Sequence, residues 1–218
     1  MASLATMQAS FDLLTQNSTD RNIMDVTVFG FSLSNLHEYG CWCYFDDNFS
    51  KGKSEPADKI DKHCRTLSKG YECAIIDGNE ENEPCIPWEV EYTTEPISDT
   101  DLIPNMCMLK NLGNNCAVRT CIVEQTFVNN FIFTIFSGVK FDKTKLHSQT
   151  SNFVENNCSK NGGGNDLQIS QSWKSCCGIY PLRKPFNTKS GKRACCGSKT
   201  YDNILMQCCE PDDVKLSC

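Results

Sequence analysis

The stretch His63-Cys64-Arg65-Thr66-Leu67-Ser68-Lys69-Gly70-Tyr71 (HCRTLSKGY) decides how this chain is read, together with Tyr39-Gly40-Cys41-Trp42-Cys43 (YGCWC) twenty residues before it. Ile60, Cys64, Leu67 and Tyr71 recur at the three- and four-residue steps of one helix face. The spacing predicts a helix that opens at Ser54-Glu55-Pro56 and runs through Tyr71. A second apolar segment, Ala117 to Phe136, places Val118, Cys121, Ile122, Phe127, Phe131 and Ile135 on one stripe and predicts a second helix. Between the two, Trp88-Glu89-Val90-Glu91-Tyr92 reads as a short hairpin.

Sixteen cysteines in 218 residues point to an oxidising compartment, because a thiol-reducing cytosol would keep such a set unpaired. Zinc is the competing use of cysteine, but the chain contains no CxxC pair and its three histidines, His37, His63 and His147, are scattered. No metal site and no cofactor are expected. No stretch reaches the ~18 apolar residues that crossing a bilayer requires. The segment MASLATMQASFDLLTQNSTD has neither a basic leader nor an unbroken apolar centre, so it does not read as a secretory signal. Secretion then implies a signal upstream, or a chain that is a piece of a longer secreted protein. Three N-x-S/T sequons, at Asn17, Asn48 and Asn157, suit an extracellular glycoprotein.

Charge and cysteines divide the chain at the same place. Residues 1–140 carry a net −10 and residues 141–218 a net +4. From Asp77 to Asp101 there are nine acids and no base. That run reads as a solvated loop, or alternatively as a face for calcium or for a basic partner, and it argues against nucleic acid or an anionic membrane as the partner of this half. Eight cysteines precede residue 122 and eight lie from Cys158 onward, so each half has enough to be stapled by itself. The polar stretch that ends in Gly162-Gly163-Gly164 reads as a connector. The expected fold is α+β and disulfide-rich: a mainly helical domain over 1–140, a connector over 141–170 and a small cysteine-rich β/turn module over 171–218.

The first domain resembles secreted phospholipase A2. The resemblance covers roughly residues 20–140 and rests on Tyr39-Gly40-Cys41-Trp42-Cys43, on Asp58-x-x-Asp61-x-His63-Cys64-x-x-Leu67-Ser68-x-Gly70-Tyr71, and on Cys107 followed by Cys116-x4-Cys121. In the family these strings are YGCxC, DxxDxCCxxHDxCY and a later CxxxxCxCD. Cysteines are lost in matched pairs: the family's half-cystines correspond to His63 with Asn130, and to Gly70 with Val123. The resemblance implies the bridges Cys43–Cys64, Cys85–Cys116 and Cys107–Cys121. It leaves Cys41 and Cys73 to pair with each other or across to the tail.

The same resemblance implies that the chemistry is gone. The family uses a histidine as general base on water and an adjacent aspartate, with a glycine-rich loop, to hold calcium. Those two positions are Leu67 and Ser68 here, and the loop is Tyr44-Phe45-Asp46-Asp47-Asn48, without glycine. Tyr71 and Glu124, the latter where the family has a histidine-orienting aspartate, are read as structural survivors, and His63 is out of register. The alternative is an unrelated calcium site built from Asp46, Asp47 and the acidic run. With an apolar floor at Leu67, the old channel is open to plugging by Phe127, Phe131, Phe133 or Phe136, which otherwise form plain core.

The tail repeats a double-cysteine unit: Cys176-Cys177-Gly178, Cys195-Cys196-Gly197 and Cys208-Cys209, closing with Cys218. It resembles galaxin-like repeats of invertebrate extracellular matrices. Each pair is expected to reach two different partners and to crosslink a segment too small for a core. Arg183, Lys184, Lys189, Lys192 and Arg193 give it a basic rim opposite in sign to the first domain, which suggests docking between copies, noncovalently or by disulfide. Inactive phospholipase-like domains also occur in mineralised matrices. Two functional classes follow. One is a non-enzymatic structural protein of an extracellular assembly (matrix, skeletal organic phase, coat or filament), partnered with itself or other matrix proteins. The other is a monomeric, venom-like or inhibitory binder of a ligand or receptor.

Overall fold

The computed structural model describes residues 2–16, 36–44, 52–95, 97, 99–150, 153, 157–158 and 174–218. Within them the fold is α+β and disulfide-rich, with four helices and three separate two-stranded antiparallel sheets. The helices are α1 (Ala2–Gln16), α2 (Lys59–Glu80), α3 (Ile103–Lys110) and α4 (Asn115–Phe136). The long pair α2 and α4 forms the body, and α1 lies against α4.

The helix read from HCRTLSKGY is longer and starts later than its sequence signals suggest. Asp58, not Ser54 to Pro56, is the N-cap, its carboxylate accepting from Asp61 N. The helix then runs on to Glu80, so the acidic run begins inside it, with Asp77 buried. Asp61 explains the YGCWC segment: its buried carboxylate accepts from the backbone N–H groups of Cys41, Trp42 and Ala57 at 2.7–2.8 Å. Gly40 sits at φ +63°, and a Cβ there would lie 2.3 Å from the Asp61 Cγ. Only glycine lets the chain turn that closely over a carboxylate. Tyr39 stacks on Phe141, with ring centroids 4.8 Å apart, and donates to Asp58.

The core joins Met7 and Phe11 of α1, then Leu36, Tyr39, Cys41, Trp42 and Cys43, then Ile60, Cys64, Leu67 and Tyr71 of α2, and Val123, Phe127, Val128, Phe131 and Ile132 of α4. Phe153 and Cys158, within the stretch read as connector, belong to it too. The WEVEY segment is not a hairpin. It is a turn followed by irregular chain, and the Tyr92 hydroxyl is directed at Glu124 inside the body.

The C-terminal module is three short hairpins, β1 (Lys174–Cys177) with β2 (Lys184–Asn187), β3 (Arg193–Cys196) with β4 (Lys199–Asp202), and β5 (Gln207–Glu210) with β6 (Asp213–Lys215). Every double cysteine lies on the first strand of its hairpin. The turns suit their residues: Gly197 at φ +61° opens the two-residue β3–β4 turn, and Asp212 at φ +65° follows Pro211 in the β5–β6 turn. Cys176, Cys177 and Cys196 are the buried residues of this module, so sulfur stands where larger domains put hydrocarbon.

All sixteen cysteines are bridged within the chain. Cys43–Cys64, Cys85–Cys116 and Cys107–Cys121 are formed, the three pairs implied by the resemblance. The two halves do not close separately, however. Cys41 bonds Cys158 and Cys73 bonds Cys176, tying connector and tail to the body. Along the tail the second cysteine of each pair reaches forward, Cys177 to Cys195, Cys196 to Cys208 and Cys209 to Cys218, which makes a daisy chain. No thiol is left for a disulfide between copies.

Candidate functional site

Leu67 and Ser68, the positions that the resemblance aligns with the family's general base and metal carboxylate, are buried in the middle of α2. Leu67 is 2% exposed and packs in the core with Val123 and Phe127. What space remains beside it is a cavity of about 10 Å³, lined by His63, Thr66, Leu67, Val123, Phe127 and Pro181 among others. That is room for at most one water molecule. Pro181 comes from the C-terminal module, so the tail closes this face. Phe127 lines the cavity and Phe131 is core, whereas Phe133 is 73% exposed and plugs nothing.

His63 lies one turn before Leu67 and lines the same cavity. Its Nε2 is 2.8 Å from Thr134 Oγ1. Burial, and then the Lys62 ammonium, hold its pKa below the ordinary imidazole value, so it is neutral at pH 7. Tyr71 donates to Glu124 Oε1 at 2.5 Å and Tyr92 to Oε2 at 2.7 Å. Gln125 donates to Tyr92 and to Ser10 of α1, at 3.1 Å each. This buried network ties α1, α2, α4 and the 92 segment together. Burial and the Glu124 charge push the Tyr92 phenol well above its ordinary pKa.

No protein-family model matches this chain, and no curated protein matches it.

The tail is fastened by a clamp that sequence reading did not find. Arg183 grips Asp77 in a bidentate pair, Nε to Oδ2 at 2.7 Å and Nη2 to Oδ1 at 2.9 Å, and Tyr180 donates to the same Oδ2 at 2.7 Å. Arg183 Nη1 also donates to Gly178 O. One turn earlier on α2, Glu72 pairs with Lys174 at 2.8 Å and Lys69 at 3.0 Å. Burial by itself would push the Glu72 pKa up, but the two ammonium groups outweigh it and hold the carboxyl below the usual range. The opposite charges of the two halves therefore meet inside one molecule, and Arg183 is not part of a free basic rim. The only sequence signal was the sign difference between halves, which does not name partners.

The acidic run is dispersed. Asp77 belongs to the clamp, Glu81 pairs with Arg119, and Glu95 with Lys110. Among the described residues no group of three or more histidines, cysteines or carboxylates is arranged to hold a metal ion. Of the expected glycosylation sites, Asn157 is exposed, with Nδ2 donating to Phe153 O at 3.0 Å, while Asn17 and Asn48 lie outside the described residues. So does the loop from Phe45 to Asn48. Cys158, inside the Asn157 sequon, carries the bridge to Cys41. Among the described residues no helix is long and apolar enough to cross a membrane. The eight disulfides fit an oxidising, extracellular compartment.

Proposed function

We propose that this is a secreted, non-enzymatic structural component of an extracellular assembly, built on a phospholipase A2-like body that has lost its chemistry and a galaxin-like C-terminal module. The observation that carries the reading is the closed face around Leu67. A leucine cannot take a proton from water, and a cavity with room for one water admits no ester. Support for the body's ancestry comes from its lost bridges. A Cβ added at Gly70 would meet Val123, and His63 and Asn130 line one cavity, so both pairs of lost half-cystines are still neighbours. The rest of the molecule favours rigidity: eight bridges, one joining the connector and one the tail to the body.

A closed channel also disfavours the alternative, a monomeric binder that holds its ligand in the old substrate cleft. Fractionation of the source tissue tests the choice. The protein is expected in insoluble extracellular material, released by a denaturant without any reductant, because its cysteines pair internally. Recovery as a soluble monomer in complex with a small ligand or a receptor overturns the structural reading.

A further inference from the structure

Two surfaces carry exposed apolar side chains beside charges that have no ion pair within the described residues. The first is a tip of the C-terminal module. The β2–β3 and β4–β5 turns lie side by side, with Asn203 N donating to Lys192 O at 3.1 Å and Asn203 Nδ2 to Gly191 O at 2.8 Å. This contact sets Ile204 and Leu205, each 66% exposed, next to the turn that carries Lys189 and Lys192. Both lysines are exposed, and neither enters an ion pair among the described residues.

The second surface is an open hollow of about 360 Å³ on the body, between the Glu91–Thr93 segment and the α3–α4 turn. Leu112 walls it at 75% exposure, and Leu109, at the end of α3, is 68% exposed. Asn111 fixes its floor, bonding Thr93 N, Thr93 O and Cys107 O through its side chain. Glu91 lines it, and Glu89 is two residues away. Both are exposed, and neither is ion-paired among the described residues. Lys110 is already taken by Glu95. No tail residue lines the hollow.

Single exposed leucines are ordinary on protein surfaces. Here an apolar projection flanked by cations and a largely polar hollow, with Leu112 as its exposed apolar wall and carboxylates beside it, occur on one chain. We propose that the Ile204–Leu205 tip of one copy docks in the Leu112 hollow of a second copy, with Lys189 and Lys192 facing Glu89 and Glu91. The inference rests on the structural reading above and names its partner as another copy of this chain. The contact is heterologous: each molecule that uses its tip leaves its hollow available, so association propagates into rings or filaments. An anionic lipid surface would suit the tip alone, but it would leave the hollow without a role.

The experiment uses the full, disulfide-intact chain and two variants, I204D/L205D, which spoils the tip, and L112D, which spoils the hollow. Both changes are at exposed positions, and intact mass under non-reducing conditions checks that all eight bridges have formed. Sedimentation of wild type is expected to give a mass that grows with concentration and falls with added salt, while each variant alone is monomeric. An equimolar mixture of the variants retains one working tip and one working hollow, and is expected to stop at a discrete dimer. Variants that assemble like wild type, or a mixture that stays monomeric while wild type associates, overturn the proposal and leave the structural reading standing. A wild-type chain that is monomeric at every concentration overturns it too. Binding to phosphatidylserine vesicles that I204D/L205D loses and L112D keeps would assign the tip to lipid instead. Calcium-dependent fatty-acid release by wild type would be a separate failure, of the structural reading itself.

Discussion

Replacing Gly70 and Val123 together by cysteine is expected to create a ninth disulfide between α2 and α4. A Cβ built on Gly70 lies 3.3 Å from the Val123 Cβ and 2.7 Å from its two methyl carbons. Bridges span about 3.5–4.5 Å between Cβ atoms, so a separation of α2 and α4 by a few tenths of an ångström suffices. Gly70→Cys alone drives its new side chain into Val123 and is expected to destabilise by about 1–3 kcal/mol. Val123→Cys alone trims a buried side chain and is expected to lose about 0.5–1.5 kcal/mol. In the pair the clash becomes a bond. The 53-residue separation is already bypassed in the unfolded chain by Cys85–Cys116, which shortens the path to about two dozen residues and sets the chain-entropy gain at about 3 kcal/mol. The assay is alkylation of the folded, unreduced protein followed by intact mass, with urea denaturation of the four proteins. The double variant is expected to take up no alkylating agent and to exceed wild type in stability. Two alkylated thiols in a folded double variant would refute the reasoning, because the two positions would not then face each other.

Other consequences follow from the clamp and the core. The Asp77–Arg183 pair is expected to show a coupling of roughly 2 kcal/mol in a D77A, R183A double-mutant cycle read by urea denaturation, since either substitution alone removes both charge-assisted bonds. Strict additivity of the two substitutions would contradict it. Glu72 has a folded-state pKa below its unfolded value, so its ion pairs contribute fully above the ordinary Glu range of about 4.3 and are lost as pH falls through the lower folded value. The stability difference between wild type and E72Q is therefore expected to shrink steadily from about pH 6 to about pH 3, and a constant difference would argue against the pairing. Leu67→Ala removes a side chain from the closed core and is expected to lose about 2–5 kcal/mol, measured by thermal unfolding at fixed pH.

The two long helices were legible because each carries a sustained apolar stripe, and the tail's linked turns because a double cysteine must reach two partners. The N-terminal helix is written in the sequence as Leu4, Met7, Phe11 and Leu14 at helical steps, a stripe that a test of the same segment for a secretory signal does not reveal. The alternation in WEVEY suggested a strand, yet Tyr92 answers to one buried carboxylate, Glu124, rather than to a neighbouring strand. Cys41 and Cys73 find partners 117 and 103 residues away, and at that distance spacing carries no pairing information. The closing of the Leu67 face was half visible: the apolar floor could be read from one residue, whereas the Pro181 cover depends on the clamp between Asp77 and Arg183.

The most direct trial of the account is to incubate the purified, disulfide-intact protein with mixed phospholipid vesicles and millimolar calcium, and to measure released fatty acid. Release indistinguishable from buffer, with calcium or with a chelator, is what a leucine floor under a closed face predicts. Turnover that needs calcium and disappears when a single residue of this chain is changed would mean that a catalytic group stands where none has been recognised.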